Sequence, residues 1–185
     1  MAKLFDRLAL AHQDFIAAQR LYFVATAAET GRVNTSPKGT DSLRVLSPNR
    51  ILWLNSTGSG NETAGHIARV NRMTLMWCSF DSQPLILRAY GTARVIHQGD
   101  ADWAANIAHF PPDPAPHQIF DMTVDLVQTS CGYGVPRMAY EGERDDADLW
   151  AAEKGPEGIR AYWAEKNRAT LDGFATGIEA NFDPR

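Results

Sequence analysis

The stretch 84–97, PLILRAYGTARVIH, reads as a β-strand and decides the fold class. Leu85, Leu87, Ala89, Gly91, Ala93 and Val95 alternate with Arg88, Tyr90, Thr92 and Arg94, so one face is apolar and the other mostly polar. Working outward, the apolar runs 21–28 (LYFVATAA), 43–47, 50–55 (RILWLN) and 73–80 (MTLMWCSF) are short enough for strands, and 119–131 (IFDMTVDLVQTSC) returns to alternation as the last core strand. The turn Glu29-Thr30-Gly31-Arg32 predicts a hairpin between 21–28 and 32–36, with Ser36-Pro37-Lys38-Gly39 breaking the pairing. Helices are expected at 8–20, 61–71, 100–109 and 156–180. The prolines of 110–116, FPPDPAP, force an irregular loop. Many short strands and few long helices make a mainly β (α+β) chain, a small antiparallel barrel with flanking helices rather than a parallel α/β sheet.

Composition narrows the function. With 185 residues, 44% hydrophobic and 22% charged, one domain spanning 1–185 is expected. A net charge of -4 and the absence of a dense basic cluster speak against nucleic-acid or anionic-membrane binding. No run of roughly 18 apolar residues is present to span a bilayer, and Asp6 and Asp14 interrupt the start where a signal peptide needs an apolar centre. A cytoplasmic location is the resulting expectation. Cys78 and Cys131 form no C-x-x-C pair, and His12, His66, His97, His109 and His117 form no H-E-x-x-H or Cys/His cluster, so neither a thiol redox motif nor a metal site is expected. No serine stands in a G-x-S-x-G elbow, and no catalytic acid or base declares itself.

The most suggestive site is the turn Ser56-Thr57-Gly58-Ser59-Gly60-Asn61-Glu62-Thr63, which follows a strand and opens a helix. Its N–H groups and hydroxyls can converge on an anion such as phosphate. Ser59-x-x-Glu62 also matches a capping box, which satisfies the same donors without a ligand, and the residues leave both readings open. Glu62 repels a dianion, so a nearby cation is needed, with Lys38 and Arg44 as candidates. The spacing fits neither G-x-G-x-x-G nor a P-loop. Tyr133, between Gly132 and Gly134, is placed to lie flat on a planar ring or to fill a tight turn.

Four ordered blocks, FVATAAETGRVNTSPKG, DSLRVLSPNRILWLNSTGSGNETAGHI, PLILRAYGTARVI and TSCGYGVPRM, resemble the pyridoxamine 5'-phosphate oxidase-like family of FMN-binding split barrels over about residues 15–137. The resemblance implies a split β-barrel homodimer with FMN at the subunit interface and a helical C-terminal extension, 138–185, outside the core. It places Ser36, Lys38, Thr57, Ser59, Asn61, Thr63, Arg88 and Tyr133 around the cofactor, Tyr133 covering the ring from the partner subunit, and Gly60 of the same turn and the candidate cation Arg44 complete the expected binding set. It also implies a small-molecule substrate or a reduced nicotinamide donor. Pyridoxamine 5'-phosphate oxidases proper carry Ser-Arg-Lys at the second turn, whereas this chain has Gly60-Asn61-Glu62 and lacks the family's Arg-x-His substrate motif. The expectation is an FMN-dependent oxidoreductase of unknown substrate that is not a vitamin B6 oxidase. The alternative is a non-catalytic split barrel that stores or senses flavin or haem.

Overall fold

The computed structural model describes residues 2–182. Its centre is a single antiparallel sheet of β1 (Lys3–Phe5), β2 (Leu21–Thr26), β3 (Asn34–Gly39), β4 (Leu43–Ser47), β5 (Arg50–Ser56), β6 (Met73–Cys78), β7 (Ile86–Ile96) and β8 (Pro116–Ser130). The strands run in the order β3-β2-β6-β7-β8-β5-β4, and β1 adds to the far end of β8. Four helices flank it: α1 (Leu10–Ala18), α2 (Glu62–Arg69), α3 (Trp103–Ile107) and α4 (Asp146–Lys166).

The expected alternation of 84–97 is present in β7. Leu87, Ala89 and Ala93 are buried, while Arg88 and Tyr90 are half-exposed and Thr92 and Arg94 are exposed. They pack with Val24, Ile51, Trp53, Leu75, Trp77, Phe120, Met122 and Val124, and the Trp53 and Phe120 rings stack at 4.6 Å between centroids. The sheet curls around this core into a half-barrel. The opposite face is covered only at one end, where Leu52, Leu54, Ile96 and Ile119 meet Phe110 and the α3 side chains Trp103 and Ile107. Burial on both faces explains why β5 reads as a continuous apolar run.

Two expectations are corrected, and one strand is added. Ser36-Pro37-Lys38-Gly39 does not break the hairpin but continues it as β3, which pairs with β2 from Leu21↔Gly39 to Thr26↔Asn34. Proline is tolerated because β3 is the terminal strand of the sheet, where one side of the backbone needs no ladder partner. The chain after the core is not one helix over 156–180. Helix α4 begins at Asp146, kinks at Gly155 (φ 64°) before Pro156, and ends at Lys166. Residues 167–177 then fold back against the turn before α2 and against α2 itself, with Ala169 bridged to Ala175, and Ala115, Ala151, Ile159, Trp163 and Ile178 form a third apolar cluster beside them. Strand β1 had no clear sequence signal, since a three-residue strand shows too little of any period.

Candidate functional site

The curl brings β3 and β5, near opposite ends of the strand order, into contact across the seam of the half-barrel. Alternation along β3 turns Asn34, Ser36 and Lys38 to one side. There they meet Trp53, Asn55 and Ser56 of β5, the turn residues Gly58, Ser59, Gly60 and Asn61, and Glu62 and Thr63 at the start of α2. Together these residues line a cavity of about 250 Å³.

Its chemistry is that of a donor cradle. The Lys38 ammonium lies 5.3 Å from the Trp53 ring centroid, and burial lowers its pKa because the charged form loses hydration. Among the described residues it enters no ion pair. Asn61, 2% exposed, has neither amide atom hydrogen-bonded within the described chain, and the buried Trp53 Nε1 also lacks an acceptor. Helix α2 starts at Asn61 with no side-chain cap. The capping box of Ser59 and Glu62 is not formed: Asn61 is the N-cap, so Glu62 is the first helical residue instead of the third, and its Oε1 accepts a hydrogen bond from the Leu171 N–H at 2.9 Å. The first-turn N–H groups of α2 are thus left without a side-chain acceptor, the condition under which a helix start favours an anion.

Of the residues singled out from sequence, Ser36, Lys38, Ser59, Gly60, Asn61 and Thr63 line the cavity. Thr57 does not. Its hydroxyl donates to Ala115 O at 2.9 Å and accepts from Trp163 Nε1 at 2.9 Å, so the one proton it could offer an anion is spent on the fold. Arg44 is likewise engaged, donating to His109 O at 2.8 Å and to the Asp41 carboxylate at 2.9 Å while covering the Phe110 ring. Arg88 stands on the outer face of the sheet, 3.3 Å from Ser130 Oγ, and Tyr133 is 83% exposed beyond β8. Neither reaches the cavity of its own chain.

Sequence reasoning missed Asn34, Trp53 and Asn55 as lining residues. Asn55 carried the clearest signal, a polar side chain ending the buried run ILWLN, and it is 8% exposed. It also missed the tail: Asn167 Nδ2 donates to Gly58 O at 3.1 Å, alongside the Trp163–Thr57 and Leu171–Glu62 contacts.

A family model described as pyridoxamine 5'-phosphate oxidase matches residues 8–131. The chain belongs to this family. The pyridoxamine 5'-phosphate oxidase family protein ustO of Aspergillus flavus is 38% identical over 129 residues, 67% of this chain and 52% of that protein. The chain therefore spans about half the length of that curated relative. A putative pyridoxamine 5'-phosphate oxidase from Lactobacillus delbrueckii superposes with a TM-score of 0.54 at 24% identity, over 66% of this chain and 94% of that one. A histidine-to-alanine variant of HupZ from Group A Streptococcus superposes with a TM-score of 0.53 at 20% identity, over 66% and 99% of the two chains. At these identities the two structures establish the split-barrel fold. The family match stops at the end of β8, so α4 and the fold-back that touch the turn lie beyond it. No helix among the described residues is long and apolar enough to cross a membrane.

Behind the cavity, His117 is fully buried, with Nδ1 3.3 Å from Asn55 Nδ2 and its ring 5.3 Å from that of Trp163. Burial, reinforced by the neighbouring His97 and Lys38 charges, lowers its pKa to about 3 from 6.5. The unfolded chain therefore binds a proton more readily than the folded one between those values, and stability falls as pH drops through that window. From pH 7 to pH 5 this group alone is expected to remove about 2 kcal/mol. Urea unfolding at the two pH values checks it. Replacing His117 with glutamine should flatten the slope, leaving a smaller part from His97 and His12, whose pKa values burial also lowers. An unchanged slope in that variant would exclude His117 as the source.

Proposed function

We propose that this family member is an FMN-dependent oxidoreductase acting on a small molecule, with the flavin phosphate held in the seam cavity. The observation that carries the reading is the half-buried, unpaired Lys38 ammonium facing the unpartnered Asn61 amide and the uncapped start of α2. Ser36, Lys38, Ser59, Gly60, Asn61 and Thr63 would hold the phosphate through charge-assisted and hydroxyl or N–H contacts. FMN, when bound, supplies hydride or single-electron transfer, and the chain supplies binding and orientation. With Gly60-Asn61-Glu62 in place of the Ser-Arg-Lys of the vitamin B6 oxidases, the cradle offers the flavin phosphate fewer cations, and the absence of the Arg-x-His motif supports a different substrate.

A homodimer belongs to the same proposal. The outer face of β2, β6 and β7 presents Phe23, Met76, Arg88 and Tyr90 half-buried, with Leu126 of β8 exposed beside them. A second copy seated there would account for this apolar face and would let Arg88 and Tyr133 serve the other subunit's cavity rather than their own.

Purified protein titrated with FMN is expected to quench flavin fluorescence and to hold a flavin that bleaches with a reduced nicotinamide. Flavin binding without bleaching by any donor would favour a storage or sensing module. A Soret band would point to haem, and failure to bind either would sink both readings.

A further inference from the structure

We propose that the tail from Trp163 to Leu171 is a built part of this site and gives it a preference for phosphorylated over unphosphorylated ligands. The inference rests on the reading of the seam cavity as a phosphate site. It concerns residues beyond the family match at 8–131.

Three tail positions four residues apart meet three turn positions. Trp163 Nε1 donates to Thr57 Oγ1 at 2.9 Å, Asn167 Nδ2 to Gly58 O at 3.1 Å, and the Leu171 N–H to Glu62 Oε1 at 2.9 Å. Trp163 and Asn167 are 3% and 0% exposed, so their two contacts reach into the interior, while the Leu171–Glu62 bond lies at the surface. The tail is fixed from two further directions. The Asp172 carboxylate accepts from the Arg32 N–H at 2.6 Å, and Thr170 packs so closely on α2 that a Cβ at Gly65 would lie 2.3 Å from Thr170 Cγ2.

Each contact acts on the turn in a definable way. The turn belongs to no strand or helix between Ser56 and Glu62, so its backbone has few restraints of its own. Donors that must converge on an anion bind best when their geometry is fixed beforehand, and Trp163 and Asn167 fix Thr57 and Gly58. Glu62 is the carboxylate lining the cavity, and a free carboxylate there opposes a dianion. The Leu171 N–H holds one of its oxygens. Trp163, Asn167 and Leu171 are thus positioning residues, acting through the turn rather than touching the ligand.

The test compares FMN with riboflavin, which differ by the phosphate alone, using flavin fluorescence titration of the wild-type chain, Asn167→Leu and Trp163→Phe. Hydrogen–deuterium exchange of the turn 57–63 without ligand is measured in parallel. Asn167→Leu is expected to weaken FMN binding roughly ten-fold, leave riboflavin binding unchanged and speed exchange in the turn. Trp163→Phe should do the same to a smaller degree while keeping the ring that packs in the tail cluster. Adding Glu62→Gln to Asn167→Leu should restore part of the FMN affinity, an effect general loss of fold would not give. Equal losses for FMN and riboflavin, or turn exchange unchanged in both variants, would overturn the proposal. Wild-type protein that binds FMN no better than riboflavin would instead overturn the phosphate reading itself, and the preference with it, while exchange still reports whether the tail holds the turn.

Discussion

Replacing Lys38 with methionine is expected to weaken FMN binding by about thirty-fold and, in the same protein, to raise the melting temperature of the ligand-free form. Methionine approximates the stem of lysine and keeps the packing against Trp53 while removing the charge. In the ligand-free chain that charge is a liability. It is half-buried, its pKa is lowered by lost hydration, and it has no carboxylate partner among the described residues. A phosphate would convert the liability into a charge-assisted hydrogen bond, and contacts of that kind contribute about 1.5–3 kcal/mol. Thermal melts with and without FMN, beside a fluorescence titration, read both signs. A variant that lost binding and stability together would mean that Lys38 is structural, and one that bound FMN normally would remove it from the site.

Substitution of Gly91 by alanine is expected to destabilise the fold by at least about 3 kcal/mol, at the upper end of what overpacking costs. A Cβ at this position would lie 1.9 Å from the Thr123 carbonyl oxygen and 3.2 Å from Val124 Cα, both backbone atoms of β8 that no rotamer change can move. The site is a β-bulge, where the register passes from Tyr90↔Leu126 to Gly91↔Val124 and leaves Asp125 without a pair. Strands β7 and β8 share the longest ladder in the sheet, running from Ile86↔Ser130 to Ile96↔Ile119. Forcing them apart at its middle would disturb the curl that brings β3 to β5. The urea midpoint should fall with an unchanged m-value, and a loss below about 1 kcal/mol would show that the ladder absorbs the methyl group by sliding.

How much of this was legible beforehand depended on whether the signal was local. In β7 the alternation of Leu87, Ala89 and Ala93 with Arg88, Tyr90 and Thr92 follows from the two-residue repeat of a strand, so its existence and inner face could be read directly. The turn 57–63 announced itself through residues that favour loops and helix starts. Its state did not, because Ser59 and Glu62 suit a capping box equally well on local grounds. The helix begins at Glu62 with Asn61 before it, and the Glu62 carboxylate is bonded by Leu171, 109 residues away in sequence. Thr57 and Arg44 carry the right chemistry for a ligand, yet Trp163, Ala115, His109 and Asp41 take up their hydrogen bonds.

By itself, the sequence determined the β-rich class, the strands that build the core, the turn opening α2 and the family resemblance, since each rests on periodicity, turn chemistry or ordered motifs along the chain. The tertiary structure alone decided which polar groups remain free. Curling places β3 against β5, and the tail from Trp163 to Leu171 ties down the turn. What is left facing the cavity is an ammonium, an amide and a helix start without partners. Hydrogen-bonding capacity is spent between residues far apart in the chain, so a residue's type shows what it can bind but not whether it is free to do so.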